Sequence, residues 1–120
     1  MKKILVVDDS TLIVNVLKAS LEYLGYAVES ARDGREAIEK LADHKPDMMI
    51  LDLMLPKMGG LEVIKKMHSL DYEYKRVPII AMSTNDSDGY KKKSLSLGAK
   101  DFIKKPIDLQ EVEAKILEHI

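Results

Sequence analysis

Asp47-Met48-Met49-Ile50-Leu51-Asp52-Leu53 is the stretch that decides the fold. Its apolar core runs without alternation, as expected of a strand covered on both faces in a helix-clad parallel sheet. Lys3 to Asp8 and Val77 to Ser83 are similarly continuous, and Ala27 to Ala31 and Asp101 to Lys104 complete a set of five short strand-like runs. Between them the pattern is helical. Ile13, Val16, Leu17, Leu21 and Leu24 line one face of a first helix that stops at Gly25, a favoured residue just past a helix end. Ala37, Ile38, Leu41 and Ala42 mark a second, ended before Pro46, and Leu61, Ile64 and Met67 a third, entered after Gly59-Gly60. A fourth, roughly Asp88 to Leu97, has only Leu95 and Leu97 as strongly apolar positions before Gly98, so it is expected to be the least stable element. In the fifth, Asp108 can cap, Glu111 completes a capping box, and Ile107 with Val112 can form a hydrophobic staple.

Five strands and five helices in strict alternation predict an α/β fold, a doubly wound (βα)5 unit with a five-stranded parallel sheet and right-handed crossovers. For five strands the flavodoxin-like order 2-1-3-4-5 fits best. It places ligands at the carboxyl ends of strands one and three, where the winding reverses. The 120 residues allow one domain, taken as 1–120, with 46% hydrophobic and 32% charged residues, far from the composition of disorder. No cysteine is present, which excludes disulfides and thiolate metal sites. A net charge of -1 offers no global field for nucleic acid or an anionic membrane. No run is long enough to span a bilayer, and the amino-terminal apolar run is too short for a signal peptide, so a cytoplasmic protein is expected.

Strand one ends in Asp8-Asp9 and strand three in Asp52, so the inferred topology brings three carboxylates to one crevice. At about 4 Å and an effective dielectric of about 20, each like-charge pair costs on the order of 4 kcal/mol. A proton or a cation must relieve that. Lys105, closing strand five, supplies one positive charge, and a divalent ion neutralises the remainder. Oxygen ligands without Cys or His select a hard ion, and a site that also holds phosphate favours Mg²⁺. Ser83 closes strand four and can donate a hydroxyl to an anionic oxygen there.

With Pro56 and Gly59-Gly60 after Asp52, Ser83-Thr84, and Phe102 before Lys105-Pro106, the pattern resembles the CheY-like receiver domain of two-component response regulators across nearly the whole chain. The resemblance implies a phosphorelay function. Asp52 is then the phosphoacceptor, and Asp8 and Asp9 hold Mg²⁺ directly or through water, with the backbone carbonyl of Met54 as a further ligand. Lys105 pairs with the phosphoryl oxygens, Ser83 hydrogen-bonds to them, and Phe102 is an aromatic switch. The implied donor is a phosphohistidine on a sensor histidine kinase or a histidine phosphotransfer protein, and water later resets the switch. Such a domain is not an enzyme in the ordinary sense; it catalyses its own phosphorylation and dephosphorylation. Its output surface is the face of helix 4, strand 5 and helix 5, for a downstream protein partner, with no direct nucleic-acid or membrane contact.

Simpler roles stand beside these. Asp8-Asp9 alone is a turn with a helix cap, Phe102 alone a core residue, and Lys105-Pro106 either punctuation or, as the resemblance implies, a cis peptide. Met48, Met49, Met67 and Met82 are read as packing, and His44, His68 and His119 as surface residues and not ligands. Asn85-Asp86-Ser87-Asp88-Gly89 lacks the closing Glu of a calcium loop, since Leu95 stands there. Lys91, Lys92, Lys93, Lys100, Lys104 and Lys105 form a solvated face or, as a hypothesis, a seat for an acidic partner. Leu12 and Val14 are expected to be half-buried, and they lie where a phosphodonor's helices can dock. Thr84, Met54 and Asn85 stand where relatives tune access and water attack, and Phe102 lacks a Tyr hydroxyl. A haloacid-dehalogenase-type phosphatase needs an Asp where Met54 stands, and a flavodoxin-like electron carrier is disfavoured by Asp8-Asp9 near its flavin phosphate. A receiver-like module that works without phosphorylation is the remaining rival. The chain reads as a stand-alone regulator in preference to an excised receiver.

Overall fold

The computed structural model describes residues 1–69, 72–84 and 88–120. In chain order the elements are β1 (Lys3–Val7), α1 (Thr11–Tyr23), β2 (Ala27–Ala31), α2 (Gly34–His44), β3 (Met48–Asp52), α3 (Gly60–Ser69), α4 (Tyr72–Lys75), β4 (Ile79–Ser83), α5 (Asp88–Ser96), β5 (Asp101–Lys104) and α6 (Leu109–His119). The sheet order is β2-β1-β3-β4-β5 and every pairing is parallel, as the alternation predicts. The one-turn α4 is an addition that the sequence pattern did not announce; it sits between the expected third and fourth helices.

Strand alternation divides the core in two. Leu5, Val7, Met49, Leu51, Ile79 and Ala81 face one side with buried residues of α2 and α3. Ile4, Val6, Met48, Ile50, Ile80, Met82 and Ile103 face the other with Leu17 and Leu21 of α1 and Val112 and Ile116 of α6. The continuous apolar strands are thus explained by two hydrophobic faces in place of one. The three strand methionines and one helix methionine singled out from sequence as packing, Met48, Met49, Met82 and Met67, are all buried.

Helix faces were drawn too broadly. In α1, Val16 is 37% exposed and Leu24 is also exposed; Leu17 and Leu21 carry the contact, with Ile13 and Val14 at its margin. Leu12 is 72% exposed, where half-burial was expected. Ala42 in α2 is exposed, and α3 buries Val63 beside Ile64 and Met67. Weakness in the expected fourth helix is visible in α5. Leu95 is exposed, and the fully buried residue among the described side chains of α5 is Ser94, whose hydroxyl turns back onto the Lys91 carbonyl at 2.9 Å. Leu97 and Tyr90 pack only partly against the core.

The caps show how the chain enters its helices. Ser10, Asp33 and Asp108 cap α1, α2 and α6 by accepting from the backbone N–H groups of Ile13, Glu36 and Gln110. In α6 the Asp108 bond goes to Gln110 and not to Glu111, while Ile107 packs against the core cluster that contains Val112. Gly25, with φ of 98°, provides the left-handed step that ends α1 and turns the chain into β2. No described helix is long and apolar enough to cross a membrane.

Candidate functional site

Register decides which side chains meet. Val7 lies opposite Leu51 in the β1–β3 pairing, so the next residues, Asp8 and Asp52, leave the sheet side by side. Asp52 is level with Met82, and Ser83 follows at the end of β4 opposite Lys104, one residue before Lys105. Four strand ends therefore open onto one crevice at the reversal of winding.

Asp8 and Asp52 are buried, Asp52 to 3% exposure, whereas Asp9 is exposed at the rim. The two buried carboxylates are held alike. Asp8 Oδ1 accepts from the Ser10 N–H at 2.9 Å, and Asp52 Oδ1 accepts from the Met54 N–H at 3.0 Å. Both second oxygens face one ammonium: Lys105 Nζ lies 2.8 Å from Asp8 Oδ2 and 3.2 Å from Asp52 Oδ2. The Lys105 backbone N–H donates to the Ser83 carbonyl at 2.9 Å, tying the lysine to the end of β4. The Lys105-Pro106 peptide is cis, as the resemblance implied. Ser83 is fully buried, and Thr84 beside it is exposed.

One ammonium cannot satisfy these acids. Burial raises the Asp52 pKa above its ordinary value and the Asp8 charge adds to the rise, against the Met54 N–H and Lys105, which lower it. For Lys105, burial works against the charge, but hydrogen bonding to Asp8 and the fields of Asp52 and Asp8 prevail and raise its pKa. The crevice thus keeps its lysine charged while Asp52 resists ionisation.

Oxygens of Asp8, Asp9 and Asp52 all lie within 4.8 Å of one another. Three carboxylates and one ammonium leave two negative charges, the complement of a divalent cation, and an all-oxygen donor set suits a hard ion such as Mg²⁺. The donor set fits.

Phe102 is half-buried against the α2–α3 side of the core and is not among the crevice residues. Met54 exposes its side chain while its N–H is bound to Asp52. Asn85, expected to tune water attack, and most of the rejected calcium-like segment lie outside the described residues. Gly60 was read as a helix entrance and as part of the family pattern, and its place has a steric reason: a Cβ there would stand 2.6 Å from the Asp52 carbonyl oxygen, so the loop after Asp52 closes only over a glycine.

A second polar cluster corrects the reading of His119 as a plain surface residue. Its Nε2 lies 3.1 Å from Asp101 Oδ2, and Lys115 Nζ lies 2.7 Å from Asp101 Oδ1. His119 is half-buried, and with Glu118 and Asp101 it forms a further group of metal-capable donors. Its pairing across 18 residues of chain had no local signal.

A family model described as the response regulator receiver domain matches residues 4–117. The alkaline phosphatase synthesis transcriptional regulatory protein PhoP of Bacillus subtilis (strain 168) is 43% identical over 115 residues, which cover 96% of this chain and 47% of that protein. Response regulator MprA of Mycolicibacterium vanbaalenii is 39% identical over 114 residues, covering 95% of this chain and 48% of its own. The chain spans about half the length of these relatives. Among solved structures, the chemotaxis response regulator CheY4 of Vibrio cholerae superposes with a TM-score of 0.92 at 32% identity, over 100% of this chain and 99% of that one.

Proposed function

The chain belongs to the response-regulator receiver family of two-component signalling, and from that premise we propose that it is a Mg²⁺-dependent phosphoryl switch whose acceptor is Asp52. The observation that carries this reading is the shared ammonium: Lys105 Nζ within 3.2 Å of both buried carboxylates, with Asp9 at the rim. Asp8, Asp9, Asp52 and the Met54 carbonyl would hold Mg²⁺, which when bound neutralises the carboxylates and the oxygens of an incoming phosphoryl group.

Asp52 attacks phosphorus through a carboxylate oxygen as the bond from phosphorus to a donor histidine nitrogen breaks, so the phosphoryl group passes from imidazole to carboxylate. Charge in the transition state spreads over three equatorial oxygens, and Lys105 offers its ammonium to them. Ser83 donates its hydroxyl to the transferred group. The fixed Asp52 Oδ1 bond to the Met54 N–H orients the carboxylate before the donor arrives. The new charge then biases the α5, β5 and α6 face, with Ser83 and Phe102 as the moving parts, toward a downstream protein partner. Hydrolysis of the acyl phosphate restores the resting state, so the domain catalyses its own phosphorylation and dephosphorylation.

The donor is a phosphohistidine of a sensor histidine kinase or a phosphotransfer protein, in the cytoplasm. Leu12, exposed beside Asp9, presents an apolar contact for that donor's helices. Incubation with a small-molecule phosphodonor, with and without Mg²⁺, followed by intact mass measurement, tests the reading. One phosphoryl group should be gained only with Mg²⁺ and not in Asp52→Asn. Equal gain in that variant would remove Asp52 from the role, and no gain in the native protein would favour a module that works without phosphorylation.

A further inference from the structure

The loop after Asp52 is held from a side that neither the acids nor Lys105 touch. Residues 53–59 leave β3 and return at Gly60, whose N–H donates to the Leu53 carbonyl at 3.2 Å and closes the base of the loop. The far side rests on the first turn of α2. A Cβ on Gly34 would lie 2.5 Å from the Met58 carbonyl oxygen and 2.7 Å from both Met58 Cβ and Val63 Cγ2. Two of those neighbours are a backbone oxygen and a Cβ, which no rotamer change can move aside. Next to this contact, Lys57 Nζ lies 3.6 Å from Asp33 Oδ2, and Lys57 itself holds a left-handed φ of 62°. Asp33 also caps α2 through the Glu36 N–H. One turn of helix thus grips two consecutive residues of the loop.

Only Leu55 and Pro56 separate Met54 from Lys57, and the proline ring restricts its own φ, so displacement at Lys57-Met58 passes back with little slack. Met54 carries the N–H that orients Asp52 and the carbonyl assigned above to the metal. We propose that the Asp33-Gly34 turn of α2 is the seat of this loop, and that Gly34 is a positioning residue for Mg²⁺ binding at Asp8, Asp9 and Asp52. This rests on the Mg²⁺ reading above. Contacts that hold metal ligands in place are typically worth about 10–100-fold in affinity, and a methyl group at Gly34 has to drive the Met58 backbone off its seat.

The test is a direct Mg²⁺ titration of the full chain, without phosphodonor, followed by calorimetry or amide NMR shifts. Gly34→Ala should bind Mg²⁺ about 10-fold more weakly or worse. Lys57→Ala, which only removes an exposed ion pair, should weaken binding about 2-fold. Saturating Mg²⁺ should restore the phosphorylation rate of Gly34→Ala, placing its defect in KM for Mg²⁺ and not in kcat. A purely structural role would lower the melting temperature and leave the Mg²⁺ constant of the folded protein alone; that result overturns the proposal. Where Gly34→Ala does not fold, Lys57→Ala and Asp33→Asn, which keeps the cap oxygen but loses the charge, decide the matter, and native Mg²⁺ affinity in both overturns it. Absence of Mg²⁺ binding in the native protein would instead remove the metal reading itself.

Discussion

Asp52 and Asp101 are both strand-end or strand-start aspartates, each accepts a backbone N–H and each faces a lysine, yet their acidities move in opposite directions. Burial and the neighbouring Asp8 raise the Asp52 pKa. At Asp101 burial also pushes upward, but hydrogen bonds from Lys115, the Phe102 N–H and His119 outweigh it and lower the pKa. The difference is one of stoichiometry. Asp101 has two donor side chains, Lys115 and the His119 that it shares with exposed Glu118, whereas Asp52 shares its one ammonium with buried Asp8. The matched pair of Asp101 and Lys115 holds β5 to α6. A cluster left two charges short has the charge that a divalent ion would complement.

The strongest way to break this contrast is to remove Lys105. In Lys105→Met the phosphorylation rate at saturating Mg²⁺ should fall by about 10²–10³-fold, the usual effect of losing one preorganised charge donor. Stopped-flow or mass-resolved time courses would show it, and a change of less than a few-fold would place the lysine outside the chemistry. Without Mg²⁺ the same variant leaves Asp8 and Asp52 facing each other, so urea unfolding should register a loss of about 3–5 kcal/mol at neutral pH.

Next in size is Asp52→Asn, which should unfold about 1 kcal/mol less readily than the native protein without Mg²⁺, because one unrelieved charge is gone. The sign follows from the raised folded-state pKa. Below its ordinary value of 3.8 the carboxyl is protonated in both states and the variant and native proteins should coincide. As pH rises through the folded value the native protein loses that stabilisation and the gap opens. Mg²⁺ should close it. A gap of opposite sign at pH 7 would mean that Asp52 is satisfied by Lys105 alone.

Lys115→Gln should cost less, about 0.2–1 kcal/mol, since its pair with Asp101 is partly exposed. Here the pH dependence reverses. The lowered Asp101 pKa supplies stability above 3.8 that is lost as pH falls through the folded value, and the raised Lys115 pKa supplies stability below 10.5 that is lost as pH rises through its own. Thermal melts across pH should show both limbs flattened in the variant. The smallest effect is that of salt. Raising ionic strength from about 0.1 to 1 M shortens the screening length from about 10 to 3 Å. The Lys115 effect should shrink, while the more buried Lys105 effect should hardly change.

The same contrast shows what could be read from the chain alone. Asp8-Asp9, Asp52, Ser83 and Lys105 were legible because each closes an apolar run, and a parallel sheet puts all such ends on one side. Asp101 opens its strand, and its partners Lys115 and His119 come from the far turns of α6, so nothing local joined them. Gly34 was equally silent, since the Asp33-Gly34 pair reads as an ordinary helix start until Met58 is found against it. Val16 and Leu24 were overcounted because a 3.6-residue period gives the direction of a helix face and not its width.

Hydrophobic pattern by itself determined five parallel strands, a two-sided core and the edge on which the acids gather, because strand period and crossover handedness are local rules summed along the chain. Tertiary structure alone decided which oxygen of each acid faces Lys105, how far Asp9 stands from Asp52, and that α2 props the loop beyond them. Those are distances of a few ångströms between residues dozens of positions apart, and only the packing of whole elements against the sheet sets them.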